Sequence, residues 1–157
     1  IADDGLFMIG VRIGHYCIVG DKVIMANTAS LGGHCIIADN VVIGALAGVH
    51  QFCRVGRGAM IGGLSAVVAD VIPMGMVIGE RANLDGLNLI GLKRAGVNKD
   101  HINGLRAAFK MIFQSNNNVK DTIEPALDAY KGNPLVEEMI SFIKSETSRS
   151  LTISSKD

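Results

Sequence analysis

The chain has 157 residues, enough for one domain or slightly more and long enough to bury a real core. Fifteen basic residues balance fifteen acidic ones, so no net charge argues for nucleic acid or for an anionic membrane surface. No apolar run reaches the roughly eighteen residues needed to span a bilayer, and nineteen glycines beside few aromatics point to an unusual backbone.

The first residues, Ile1-Ala2-Asp3-Asp4, have neither the basic start nor the apolar run of an export signal. The absent initiator methionine leads us to expect that Ile1 lies inside a longer gene product. Three cysteines, an odd count with no export signal, favour a reducing cytoplasm over a disulfide framework.

Written in sixes from Ile1, the chain reads IADDGL, FMIGVR, IGHYCI, VGDKVI, MANTAS, LGGHCI, IADNVV, IGALAG, VHQFCR, VGRGAM, IGGLSA, VVADVI. The first position is large and apolar in twelve of twelve blocks, the fifth is never larger than valine, and the second is glycine or alanine in nine. Neither helical nor strand periodicity holds a six-residue repeat this long. Large and small residues would alternate into a narrow core, with glycine permitting the tight turn between them. The pattern predicts a parallel β-helix, and its apolar-Gly-x-x-small-x form the left-handed kind. Three hexapeptides make one triangular coil, so residues 18 apart stack. Residues 1–78 are expected to form about four coils, and residues 79–157 an α-helical region.

All three cysteines lie in GHYC, GGHC and VHQFC, 18 residues apart. Cys17, Cys35 and Cys53 each take the fifth position, which makes them an inward column at the strand spacing of about 4.8 Å. That is too far for a sulfur–sulfur bond of about 2 Å, so they are core residues. His15, His34 and His50 fall at coil positions 15, 16 and 14. Three of the four histidines thus gather on one corner, in slots that point outward, as a candidate site.

Beyond Gly79 helical spacing takes over. DGLNLIGLKRAG (85–96) predicts a short helix ended by Gly96. Asn98 caps a second, with Ile102, Leu105, Phe109, Ile112 and Phe113 along its apolar stripe. SNNNVK is a loop, and Asp121-x-x-Glu124 a capping box for a third helix ending near Gly132. Asn133-Pro134 opens a fourth, turning Leu135, Met139, Phe142 and Ile143 inward. The tail SRSLTISSKD is expected to fray. Lys93, Arg94, Lys99, Arg106 and Lys110 form a basic cluster suited either to water or to phosphates and acidic proteins.

The run from GHYC through VHQFCRVG and MIGGLSAV to GLNLIGLKRAGV resembles the acyl-[acyl-carrier-protein]–UDP-N-acetylglucosamine O-acyltransferases of lipid A synthesis. The likeness covers about residues 1–113 and extends more loosely to the end. It matches only the C-terminal three-fifths or so of that family. The resemblance implies a left-handed β-helix with a helical C-terminal region, a cytoplasmic homotrimer, and active sites between neighbouring subunits. It implies transfer of a (3R)-3-hydroxyacyl chain from acyl carrier protein to the sugar 3-hydroxyl. No cofactor is implied, since phosphopantetheine arrives with the donor, and the chemistry needs a base and an oxyanion donor rather than a metal.

By the same resemblance His15 is the general base, histidine being the side chain that ordinarily titrates nearest neutrality. Gly33 supplies the oxyanion-hole N–H. His34, His50 and Gln51 line the cleft for nucleotide sugar and pantetheine, Asn88 and Arg94 surround the nucleotide, and Gly63 is the acyl-chain ruler. Three positions depart from the family. Tyr16 stands where an aspartate usually follows the catalytic histidine, Arg12 replaces a histidine, and Ala95 replaces the second of two arginines. A weakened histidine is the expectation.

Three other readings compete: a zinc enzyme of the carbonic anhydrase type, the N-acyltransferase sibling of the pathway, and a truncated or degenerate trimeric scaffold without catalysis.

Overall fold

The computed structural model describes residues 1–154. Eleven two-residue strands follow one another: β1 (Leu6–Phe7), β2 (Arg12–Ile13), β3 (Ile18–Val19), β4 (Ile24–Met25), β5 (Ser30–Leu31), β6 (Ile36–Ile37), β7 (Val42–Ile43), β8 (Gly48–Val49), β9 (Arg54–Val55), β10 (Met60–Ile61) and β11 (Ala66–Val67). Two longer strands, β12 (Gly75–Ile78) and β13 (Asn83–Leu87), form an antiparallel pair at the end. Every third strand pairs in parallel. The orders are β1-β4-β7-β10-β12-β13, β11-β8-β5-β2 and β3-β6-β9. The register steps by 18 among β1 to β11, as in Leu6↔Ile24 and Ile18↔Ile36, and by 16 from β10 to β12 (Met60↔Met76). This is the left-handed parallel β-helix the six-residue period predicts, with three sheets as the faces of a prism.

In each strand the first hexapeptide position faces in. Val19, Met25, Leu31, Ile37, Ile43, Val49, Val55, Ile61 and Val67 are all buried. The small fifth-position residues, Val23 to Val71, fill the space between them. Burial of these side chains stabilises the coil by about 25 cal/mol per Å² of apolar area. In the first turn Ile1 is 73% exposed and Phe7 half-buried.

The turns work differently from the expectation. The left-handed residue is the fourth of each hexapeptide, from Asp4 through Tyr16, His34, Leu46 and Phe52 to Leu64, with φ between 54° and 76°. Only Gly10 and Gly58 among these are glycine. A non-glycine residue loses roughly 1–2 kcal/mol there. From Lys22 to Leu64 the loss is offset because each such N–H donates to the third-position carbonyl of the coil below, as His34 N to His15 O at 2.9 Å and Phe52 N to Gly33 O at 3.0 Å. The second-position glycines serve close stacking instead. A Cβ on Gly14 would fall 2.7 Å from Gly32 C, and one on Gly44 would fall 2.8 Å from Gly62 C.

One compact unit contains Ile1–Asn88 together with tail residues 146–154; the other is Leu89–Ser145. The β12–β13 hairpin and the tail both belong with the coils, beyond the division at residue 78 drawn from the rhythm. The tail is not frayed through residue 154. Asp70 N donates to Ser150 O at 2.8 Å and Thr152 N to Asp70 O at 2.8 Å, while Ser154 Oγ holds Leu84 O at 2.7 Å. Residues 155–157 lie outside the described residues. Segment 85–96 is a helix only from Leu89 to Arg94 (α1), since its start, as β13, extends the sheet and buries Leu84.

In the second unit α2 (Lys99–Phe113) is capped by Asn98, whose side chain accepts from Asp100 N. The third helix, α3 (Val119–Ala129), is capped by Asn118, so SNNNVK is partly helical and Asp121 lies inside the first turn. Asn118 already supplies the cap that the Asp121–Glu124 pair imitates. Asn133 caps α4 (Pro134–Lys144), and its amide also donates to His101 O at 3.0 Å. Ile102, Leu105, Phe109 and Ile112 meet a stripe of Leu135, Val136, Met139 and Ile140 in the buried core of this unit. Phe142 and Ile143 are half-buried at its margin.

Candidate active site

The corner between the second and third faces carries coil positions 14 to 16. Because a left-handed turn residue stacks over its counterpart 18 residues on, Tyr16, His34 and Phe52 form an aromatic column. His34 and Phe52 are stacked at 4.9 Å between ring centroids with planes 17° apart, and Tyr16 lies 5.2 Å from His34 at 30°. His15 stands beside this column, edge-on to both His34 (5.0 Å) and Tyr16 (5.4 Å). The three histidines of the corner are exposed, and Tyr16 is 80% exposed.

Gly33 lies one coil beyond His15, and the imidazole rests on its Cα. A Cβ there would meet His15 Cε1 at 2.7 Å and Nε2 at 2.8 Å. The carbonyl of Gly33 accepts from Phe52 N, but among the described residues nothing accepts from its own N–H. Third-position N–H groups stand outside the ladder. On another corner aspartates occupy them, Asp21 Oδ1 taking Asp3 N and Asp39 Oδ1 taking Asp21 N, both at 2.8 Å. The His15 corner has His15, Gly33 and Gln51 in those slots, so among the described residues no carboxylate competes for Gly33 N–H. An imidazole nitrogen beside an unoccupied backbone donor can take a proton from an attacking hydroxyl while the donor receives an oxyanion.

His50 and Gln51 complete the corner on the third coil. His50 Nδ1 lies 2.8 Å from Arg149 Nη2, and Arg149 Nε donates to Gln51 O at 3.2 Å. Neither Arg149 nor Phe52 is visible as a site residue in the sequence. Arg149 lies in an unpatterned tail 99 positions from His50, and Phe52 differs from its column-mates in residue type. The 18-residue step from His34 was the one signal for Phe52.

The other sequence-derived candidates lie elsewhere. Gly63 stands exposed on the next corner, over Ala45, whose O would be 3.2 Å from a Cβ. Asn88 follows β13 and donates from Nδ2 to Gly58 O at 3.0 Å, on the remaining corner. Arg94 is exposed in the last turn of α1, in the second unit. Within one chain, then, His15, Gly33, His34, His50 and Gln51 come together, while Gly63 and Asn88 occupy separate corners.

The cysteines are core residues. Cys35 and Cys53 are fully buried and all three are free thiols. Cys17 Sγ donates to Gly32 O at 3.0 Å, and Cys35 Sγ to His50 O at 3.2 Å. Burial, helped by the neighbouring Cys17 and Cys53, pushes the Cys35 thiol up to about 12. Burial likewise lifts Cys53 to about 11, against the opposing pull of Arg149.

A family model described as Udp N-acetylglucosamine O-acyltransferase, domain 2, matches residues 70–152. The chain is 50% identical over 157 residues to an acyl-[acyl-carrier-protein]–UDP-N-acetylglucosamine O-acyltransferase of Caulobacter vibrioides, covering 100% of this chain and 60% of that relative. Identity to the like-named Paracoccus denitrificans protein is 48% over 150 residues, covering 96% and 56%. Among solved structures it matches the Arabidopsis UDP-N-acetylglucosamine acyltransferase with a TM-score of 0.93 at 37% identity, covering 98% of this chain and 56% of that one. The Campylobacter jejuni UDP-N-acetylglucosamine acyltransferase gives 0.90 at 35%, covering 98% and 59%. The chain therefore spans 56–60% of the length of these relatives.

Proposed function

This chain belongs to the UDP-N-acetylglucosamine O-acyltransferase family, and from that premise we propose that it works in moving a (3R)-3-hydroxyacyl chain from acyl carrier protein to the 3-hydroxyl of UDP-N-acetylglucosamine, in lipid A synthesis. The observation that carries the reading is the His15 imidazole lying against Gly33, whose N–H has no acceptor among the described residues. His15 takes the proton of the sugar hydroxyl as its oxygen attacks the thioester carbonyl. Gly33 N–H donates to the oxyanion that forms. When the carbon–sulfur bond breaks, the proton on His15 passes to the departing phosphopantetheine thiolate, leaving an ester and a free thiol.

His34, His50 and Gln51 bind substrate around these two groups. Asn88 and Arg94 serve the nucleotide, and Gly63 sets the length of the acyl chain. The separation of Gly63 and Asn88 from the His15 corner supports a homotrimer, in which a neighbouring chain brings its own ruler to this corner. Sheet β1-β4-β7-β10-β12 supports it too, since its outward side presents Leu6, Ile24, Val42, Met60 and Met76 in register. No helix among the described residues is long and apolar enough to cross a membrane; we place the protein in the cytoplasm, where its acyl carrier protein partner would be.

The test is acyl transfer from a hydroxyacyl-carrier protein to UDP-N-acetylglucosamine, beside His15→Ala. Turnover that vanishes in the variant supports both enzyme and base. A trimeric protein with no turnover would favour the scaffold reading, for which Tyr16 in place of a carboxylate is the specific observation.

A further inference from the structure

We propose that Arg149 is a positioning residue that holds His50 as the neutral imidazole protonated on Nε2, so that the third coil of the corner offers substrate a hydrogen-bond donor and not a second base. A guanidinium has five N–H donors and no acceptor. At 2.8 Å from Arg149 Nη2, His50 Nδ1 must therefore be the accepting nitrogen. The opposite tautomer would set two N–H groups head-on. Nδ1 also lies 3.2 Å from Gln51 O, which would invite an Nδ1–H donor. Arg149 Nε occupies that same oxygen at 3.2 Å, so one guanidinium grips both acceptors as a fork. The hydrogen is left on Nε2.

Arg149 is itself held in place. Its neighbour Ser150 accepts from Asp70 N at 2.8 Å. Asp70 is buried, and its carboxylate takes both Arg54 N and Arg54 Nε at 2.8 Å. A buried ion pair thus pins the tail, and the tail fixes the imidazole, as outer groups fix the ring of a metal-binding histidine. The corner then has a division of labour, with His15 free of such a donor among the described residues and His50 committed to donating. Its natural ligand is an acceptor oxygen of a substrate. That last point rests on the acyl-transfer reading above; the tautomer does not.

The experiment separates the two. Nitrogen-15 spectra of histidine-labelled protein, with His50 assigned through His50→Gln, read which ring nitrogen carries the hydrogen. The native chain should show Nε2–H at His50. Arg149→Met should give a mixture of tautomers, and Arg149→Lys, with one donor restored, an intermediate state, while the His15 signals stay unchanged in both. A native Nδ1–H, or an Nε2–H that persists unaltered in Arg149→Met, overturns the proposal. In transfer assays Arg149→Met should raise KM for one substrate about tenfold with kcat held within about twofold. An equal loss in kcat would overturn the substrate-binding part, whereas a native chain with no turnover would count against the enzymatic reading alone.

Discussion

Gly33→Ala isolates the contact on which the proposed mechanism depends. The added Cβ would lie 2.7 Å from His15 Cε1, 2.8 Å from Nε2 and 3.2 Å from Cδ2. Carbon atoms rest about 3.5 Å apart, so the imidazole must retreat by roughly 0.8 Å or rotate away. Because His15 is exposed, the ring can move, and the backbone of Gly33, whose φ is not left-handed, accepts alanine. Stability should change by less than about 1 kcal/mol. Catalysis should not be spared, since a displacement approaching 1 Å costs on the order of 10²-fold in rate.

Gly44→Ala is the matched control, because its Cβ would meet backbone atoms of Gly62 and Gly63 that cannot swing aside. Forced overpacking of that kind costs about 1–3 kcal/mol, a fall of about 2–4 °C in Tm per kcal/mol for a chain of this size. Initial rates of acyl transfer and thermal melts followed by circular dichroism measure both effects. Gly33→Ala turning over within about twofold of the native rate, or melting as low as Gly44→Ala, would refute the reasoning.

Arg54→Met leaves the Asp70 carboxylate buried without its guanidinium and should cost roughly 3 kcal/mol in urea unfolding; an unchanged midpoint would show that the pair is not needed. Cys35, raised to about 12, and Cys53, raised to about 11, should resist iodoacetamide in the native chain at pH 8 and react once it unfolds. Their folded values exceed the unfolded 9.0, so their contribution to stability is complete below pH 9 and is lost as pH rises toward about 11 to 12; a melting temperature rising over that range would contradict the sign. Tyr16→Asp, placing a carboxylate beside His15, should raise turnover, and no change would count against a weakened base. Gly63 leaves its corner open, so fourteen-carbon hydroxyacyl donors should outrun ten-carbon ones and Gly63→Met should reverse the order; a native preference for ten carbons would exclude the ruler.

The coil was legible because its core repeats in one dimension. A large residue every sixth place, Val19 to Val67, is enough to give the stacking interval, and that interval gathers His15, His34 and His50 on one corner. Turn chemistry was not legible, because Tyr16, His34, Leu46 and Phe52 have no intrinsic preference for positive φ. At His34, Leu46 and Phe52 the conformation is held by the carbonyl of the coil below. Glycine at second positions therefore invited the wrong explanation, since its service to close stacking appears only when the adjacent coil is in place. A similar competition decided the third helix, where Asn118 takes the cap that Asp121 and Glu124 suggested.

Arg149 was beyond reach for a different reason. Its partners, His50 and Gln51, are 99 and 98 residues away, and its place depends on Ser150 meeting a buried Asp70. Arg149 and Ser150 share no period with the repeat that carries His50, Gln51 and Asp70. A repeat reveals the groups it carries itself, here the His15 imidazole and the Gly33 N–H. A group delivered by the tail is revealed only by the fold that brings the tail back to the coils. The orientation of His50 therefore depends on a contact from outside the repeat.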